Sequence, residues 1–137
     1  MARALVEYSL QLPVTLFASR LNEQHYLLQG VLRWTVWPTD EILAELEYWL
    51  EREGHSGWSC LLSFALLDDP VPFEVRQRVS VATTRPHFGG LRWWFRCPGE
   101  CDGRSCGRRS HKLYLPAGGV GFACLLCHGL VYSSTRH

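Results

Sequence analysis

Five of the six cysteines in this 137-residue chain, Cys97, Cys101, Cys106, Cys124 and Cys127, crowd into 31 residues. Cys124-Leu125-Leu126-Cys127 has the two-residue spacer that lets one tight turn aim two sulfurs at one ion, and 17 residues separate it from Cys106. In a reducing compartment, thiols at such spacing point to a metal rather than to disulfides. Tetrahedral Zn²⁺ takes four soft ligands at about 2.3 Å. The second pair must come from Cys97, Cys101 and Cys106. Cys97-Pro98 has the form of a knuckle start and Cys106-Gly107 that of a knuckle end. The site is therefore assigned to Cys97, Cys106, Cys124 and Cys127, with Glu100 to Ser105 as an inserted loop and Cys101 as the rival to Cys97. Four thiolates close the coordination shell, so the expected zinc is structural and hydrolysis at the metal is disfavoured.

Other chemistry has less support. Cys124 to His128 matches the Cys-x-x-Cys-His haem attachment pattern, but that chemistry belongs to exported proteins, and Met1 is the only methionine that could be a distal ligand. A redox dithiol would open a helix after a strand, whereas this pair follows a hairpin signal. His111 and His128 read as supporting or surface residues rather than as a fourth ligand. Asp69 with Glu74-Val75-Arg76 resembles a nuclease acid set, except that Arg stands where a catalytic Lys is needed, and Arg does not deprotonate. His55-Ser56 with Cys60 offers a base and a nucleophile, yet Cys60 lies inside an apolar run and reads as a small core residue. No Gly-rich phosphate loop joins a strand to a helix. The expectation is a non-catalytic protein.

The ligands need elements to hold them. His111 to Leu115 and Val120 to Ala123 are β-prone runs joined by Pro116-Ala117-Gly118-Gly119, a hairpin signal, so two knuckles joined by a hairpin predict a zinc ribbon. Such a module buries little apolar surface, and the metal would supply on the order of 10 kcal/mol of its folding free energy. Ahead of it, a strand over Leu91 to Arg96 would pack Leu91, Trp93 and Phe95 and turn Arg92, Trp94 and Arg96 outward. With Arg104, Arg108, Arg109 and Lys112 nearby, this surface could pair arginines with phosphates and stack an indole on a base, so DNA or RNA is an expected partner. The competing reading has these arginines covering Trp94 or pairing with acidic residues.

Several stretches together resemble a group of uncharacterised small zinc-ribbon proteins of bacterial plasmids, phages and integrative elements. They are Gly89-Gly90-Leu91-Arg92-Trp93-Trp94-Phe95-Arg96-Cys97-Pro98, Cys106-Gly107-Arg108-Arg109, Lys112 to Pro116 with Gly118-Gly119, and Phe122 to Ser134 with its closing Cys-x-x-Cys-His. The resemblance covers His87 to Ser134, about a third of the chain. It implies Cys97, Cys106, Cys124 and Cys127 as ligands and a mobile-element setting, and it implies no reaction. Leu125 departs from the arginine common at that position.

The rest of the chain differs in charge. Met1 to Thr84 carries six Arg against eleven acids, and Arg85 to His137 carries eight Lys or Arg against two acids. Two modules follow, an acidic one over 1–85 and a basic zinc ribbon over 86–137. In the first, Leu5 to Leu12, Tyr26 to Trp37 and Phe73 to Thr84 alternate as half-buried strands, Gly30 marks a bulge or a close approach, and Trp58 to Leu67 is a buried strand. After Pro38, Thr39 suits a helix N-cap, Asp40 and Glu41 suit the first turn, and Ile42, Leu43, Leu46, Trp49 and Leu50 recur at helical spacing. That predicts one helix with an acidic exposed face of Asp40, Glu41, Glu45, Glu47, Glu51 and Glu53. The expected fold class is α+β, a small, mostly antiparallel sheet with one covering helix, followed by a Cys₄ ribbon. No apolar run reaches bilayer length, and Met1 to Leu5 does not open like a secretory leader, so a cytoplasmic location is expected. The functional expectation is a nucleic-acid or nucleoprotein-binding accessory protein. The alternative is a protein-protein interaction subunit or inhibitor, acting for example on a host defence complex, that docks through aromatics such as Trp34, Trp37 or Trp94 without touching nucleic acid.

Overall fold

A computed structural model describes residues 9–18, 27–36, 38–54, 57–66, 73–87, 89–101, 103–116 and 119–129. Its main feature is a curled, six-stranded antiparallel sheet, a half-barrel in the order β2-β3-β4-β5-β6-β9. The strands are β2 (Leu27–Val36), β3 (Glu41–Glu53), β4 (Gly57–Leu66), β5 (Phe73–Thr84), β6 (Arg92–Arg96) and β9 (Arg109–Ser110). Neighbours follow one another in sequence except at β6 and β9, between which β7 (Glu100–Cys101) and β8 (Arg104–Ser105) form their own small hairpin. β1 (Leu10–Pro13) pairs antiparallel with β10 (Lys112–Leu115), bringing the first described strand onto the last. A four-residue helix, α1 (Thr15–Ala18), follows β1.

The expected helix is overturned. Glu41 to Glu53 is a 13-residue strand, and among the described residues no helix has seven residues or more. The segment carries two periods at once. Read at helical spacing, Ile42 and Leu43 belong to the apolar stripe, yet they are 55% and 61% exposed. Read at period two, Leu46, Tyr48 and Leu50 are buried while Glu45, Glu47 and Glu51 are exposed. The second reading wins because β2 and β4 pair with this segment on both sides, and the hydrophobic core packs against its alternating face. Thr39 does accept a hydrogen bond from the Glu41 amide, at 3.4 Å, as an N-cap would. Asp40 then adopts a left-handed conformation, φ 59°, and the chain reverses into a hairpin. The acidic face is thus one side of a strand, and the fold is mostly antiparallel β rather than α+β.

The other strands expected in the first module match the structure over the described residues; half of the first, residues 5–8, lies outside them, and in the second module Leu91, expected to pack, is exposed just ahead of β6. Gly30 marks a close approach. Its cross-strand partner is Tyr48, whose ring lies where a glycine side chain would begin: a Cβ built there would sit 2.7 Å from Tyr48 Cζ. The irregularity in register falls elsewhere, between Trp34 and Thr35.

Alternation gives the sheet two different faces. The inner face buries Leu32, Leu46, Tyr48, Leu50, Trp58, Cys60, Leu62, Phe64, Val79, Val81 and Phe95. Leu12 of β1, Val14 between β1 and α1, and Phe17 of α1, with Leu113, Leu115 and Phe122, close over it. Phe17 meets Tyr48 and Phe95 edge-on at 4.9 and 5.9 Å, and Phe122 meets Phe64 edge-on at 5.4 Å. On the outer face the charge asymmetry of the sequence becomes a gradient across strands. Glu45, Glu47, Glu51 and Glu53 line β3, small residues such as Ser59 and Ser63 line β4, and Arg76, Arg78, Arg92, Arg96 and Arg109 line β5, β6 and β9. The boundary drawn at 85/86 falls between β5 and β6, which are paired strands of this sheet.

Candidate metal centre and basic surface

The β6–β9 ladder runs past its strand ends and delivers two of the cysteines. Beyond Arg96↔Arg109, the Cys97 amide donates to the Arg108 carbonyl at 2.9 Å and the Gly107 amide to the Cys97 carbonyl at 3.1 Å. The Cys106 amide donates to the Gly99 carbonyl at 2.9 Å and closes the base of the β7–β8 hairpin. The nine-position interval between Cys97 and Cys106 is therefore taken up by a loop that returns on itself, turning at Gly103 with φ 77°. Gly107, at φ 60°, supplies the left-handed turn after Cys106.

The other two cysteines ride on the chain after β10. Tyr114 and Ala123 exchange two backbone hydrogen bonds of 2.8 and 3.1 Å, with Gly119 bonded to the Pro116 carbonyl in the turn. A short turn over 125–129 then ends at Gly129, φ 62°. β10 spends its length pairing with β1, so the expected ribbon hairpin is a single bridge between β10 and the chain at Ala123.

The ligand atoms of Cys97, Cys106, Cys124 and Cys127 all lie within 4.8 Å of one another, and the group could hold a metal ion. Cys97 and Cys127 sulfurs are 3.8 Å apart, as are those of Cys106 and Cys124. Four sulfurs at about 2.3 Å from a central ion stand about 3.8 Å apart along each tetrahedral edge. None of the four is in a disulfide. Backbone amides support negative sulfur: those of Gly99 and Cys124 donate to Cys97 Sγ at 3.4 and 3.1 Å. Burial pushes the Cys97 thiol up and these amides oppose it, whereas the Arg108 amide, bonded to Cys106, holds that thiol below its ordinary range. Gly99 has no room for a side chain, since a Cβ there would meet Ala123 Cβ at 3.0 Å and Cys127 Sγ at 3.2 Å. Cys101 lies in β7, opposite Arg104.

The histidines are not part of this group of four. His128 Nε2 meets the Gly121 carbonyl at 2.9 Å and so braces the turn, while His111 stands against Trp94. Cys60 is buried in the sheet core, and burial pushes its thiol up to about 12, so it is not an activated nucleophile. Glu74 is exposed on β5 beside Arg76 at 3.7 Å; His55, Ser56 and Asp69 lie outside the described residues.

The six residues expected to contact nucleic acid fall into two neighbouring groups. Arg92, Trp94, Arg96 and Arg109 share the outer face of β6 and β9; the arginines are exposed and Trp94 is half-buried. Trp94 Nε1 donates to Thr84 Oγ1 at 2.9 Å, its ring meets His111 at 4.2 Å, and the Arg109 guanidinium lies 5.7 Å from its centroid. Arg109 thus places a cation over this indole. Arg108 and Lys112 instead line a cavity of about 370 Å³, together with His111, Tyr114 and the knuckle residues Leu125 and Leu126. Arg104 is exposed on β8.

Two features escaped the sequence. Gln77 faces inward among Val75, Val79 and Val81 and holds the chain at Phe122; its signal was a lone amide in an apolar alternation. His111 joins the Trp94 platform to the cavity, and nothing local announces that. Trp34 is not an open docking aromatic: its Nε1 donates to the Gln11 carbonyl at 2.9 Å and its ring stacks on Phe122 at 6.0 Å. Trp37 lies outside the described residues. Among the described residues no helix is long and apolar enough to cross a membrane. Comparison with known protein families, with curated proteins and with solved structures finds no match to this chain.

Proposed function

We propose that this protein binds nucleic acid, without catalysing a reaction, through a basic surface whose shape a structural zinc ion fixes. One juxtaposition supports this reading above all others: the four-sulfur cluster sits at the end of the ladder whose outer face carries Arg92, Trp94, Arg96 and Arg109. A four-thiolate shell holds the ion without an open position for water, so its role is to lock two loops against the sheet. Zinc and iron both take four thiolates in a tetrahedron, and zinc is expected. Resemblance to small zinc-ribbon proteins of bacterial mobile elements favours a mobile-element setting.

The test is a titration of labelled DNA and RNA over a salt series. Log affinity should fall linearly with log salt, by about 0.7–0.9 per phosphate neutralised. Alanine at Arg92, Arg96, Arg108 and Arg109 should weaken binding and flatten that slope. Absence of binding at low salt, or an unchanged slope in the variant, overturns the proposal.

A second reading rests on Ile42 and Leu43, which are apolar and exposed where β3 begins. Here the protein is an interaction subunit or inhibitor that docks on a larger protein or nucleoprotein assembly. It requires that nucleic acid be ignored at physiological salt and that Ile42→Ser with Leu43→Ser abolish capture of a protein target.

A further inference from the structure

The cavity beside the Cys124 knuckle borders the metal site through Cys124 and lies next to the basic outer face of the sheet. It is an open depression whose lining includes two exposed cations, Arg108 and Lys112, with Tyr114, Leu125 and Leu126. A lining that combines two cations with an aromatic and two aliphatic side chains matches a planar heterocycle attached to a phosphate. At about 370 Å³ it falls within the roughly 300–1,000 Å³ of small-ligand pockets, a volume that suits one nucleotide.

His111 sets the relation of this cavity to the basic face. It lines the cavity and also lies 4.2 Å from the Trp94 ring, so the cavity opens beside an aromatic pair that Arg109 flanks. To enter, a base must leave its stack, which costs a few kcal/mol in a duplex and much less in a single strand.

We propose that this cavity takes one unstacked base of a single-stranded nucleic acid, with the flanking phosphates on Arg108 and Lys112 and the Trp94–His111 pair at its entrance. This inference rests on the nucleic-acid reading of the basic face and narrows it to single strands. It also gives the metal a second consequence. Leu125 and Leu126 lie between ligands Cys124 and Cys127, so the ion fixes one wall of the pocket and its removal costs the preference for single strands before it costs charge-driven binding.

The experiment measures anisotropy of a labelled single strand of about 20 nucleotides, as DNA and as RNA, and of the matching DNA duplex, at one salt concentration. The metal-loaded full chain is compared with Leu126→Ser and His111→Ala. Both changes leave Arg108, Arg109 and Lys112 in place, Leu126 is 57% exposed, and metal content with the circular dichroism spectrum confirms folding. The wild type should favour the single strand. Each variant should lose at least about fivefold for it and less than about twofold for the duplex. Equal wild-type affinity for the two forms, or an equal loss in both, overturns the pocket and leaves the nucleic-acid reading standing. No binding of either form at low salt overturns both.

Discussion

The Gln77 side chain grips the backbone of Phe122 from both sides: its Nε2 donates to the Phe122 carbonyl and its Oε1 accepts from the Phe122 amide, each at 2.8 Å. The two residues are 45 positions apart. Gly121 makes the approach possible, because a Cβ there would press on the Gln77 amide at 3.1 to 3.3 Å. Phe122 is fully buried and lies two residues before Cys124, so this clamp connects the sheet core to the metal centre.

Gln77→Leu keeps the volume and removes both hydrogen bonds. It leaves a buried amide and carbonyl unpaired and should cost roughly 2–4 kcal/mol in urea unfolding at fixed metal occupancy. Metal affinity should fall with it, since the chain carrying Cys124 and Cys127 loses its anchor. Unchanged stability would falsify the clamp.

One metal ion per chain is expected on elemental analysis, and cobalt substitution should give the absorption bands of tetrahedral thiolate coordination. Cys97→Ser, Cys106→Ser, Cys124→Ser and Cys127→Ser should each lose it. Cys101→Ser should retain it, because the sulfurs that converge are those of the other four. Stripping the ion with a chelator should raise hydrogen exchange at the Cys97, Cys106 and Cys124 amides while β3 and β4 stay protected, since their partners lie in the sheet. Loss of metal in Cys101→Ser would move the ligand set.

Cys60 supplies a pH prediction. Its folded thiol is pushed up to about 12 from the ordinary 9.0 because burial disfavours the thiolate. The unfolded chain releases this proton at lower pH than the folded one. The contribution is fully present below pH 9.0 and is lost as pH rises towards about 12. Cys60→Ala should therefore show a shallower fall in stability above pH 9.0 than the wild type. A thiol reagent at pH 8 should leave Cys60 unmodified until denaturant is added.

Gly30→Ala tests the approach of Tyr48. The ring is fully buried and packs edge-on with Phe17 at 4.9 Å, so it has little room to yield. The substitution should cost about 1–3 kcal/mol in thermal or chemical unfolding. The same change at Gly89, which has open space around it but φ 96°, should cost less and only through backbone strain.

Read alone, the sequence determined what depends on neighbours along the chain. The Cys124–Cys127 spacing and the Cys-Gly and Cys-Pro signals picked out the four sulfurs that converge, because a knuckle is made within a few residues. Clean alternation fixed β2, β5 and the outward arginines of β6, because a strand's two faces follow from period two alone. The segment from Glu41 to Glu53 carried both periods, so its own residues could not choose; partners on either side did, by satisfying its backbone groups and burying Leu46, Tyr48 and Leu50. The joining of β1 to β10, the pairing of Trp94 with His111 and the grip of Gln77 on Phe122 likewise came only with tertiary structure. Each depends on the register in which distant segments meet, and that register is set by the sum of all the packing rather than by any one stretch of chain.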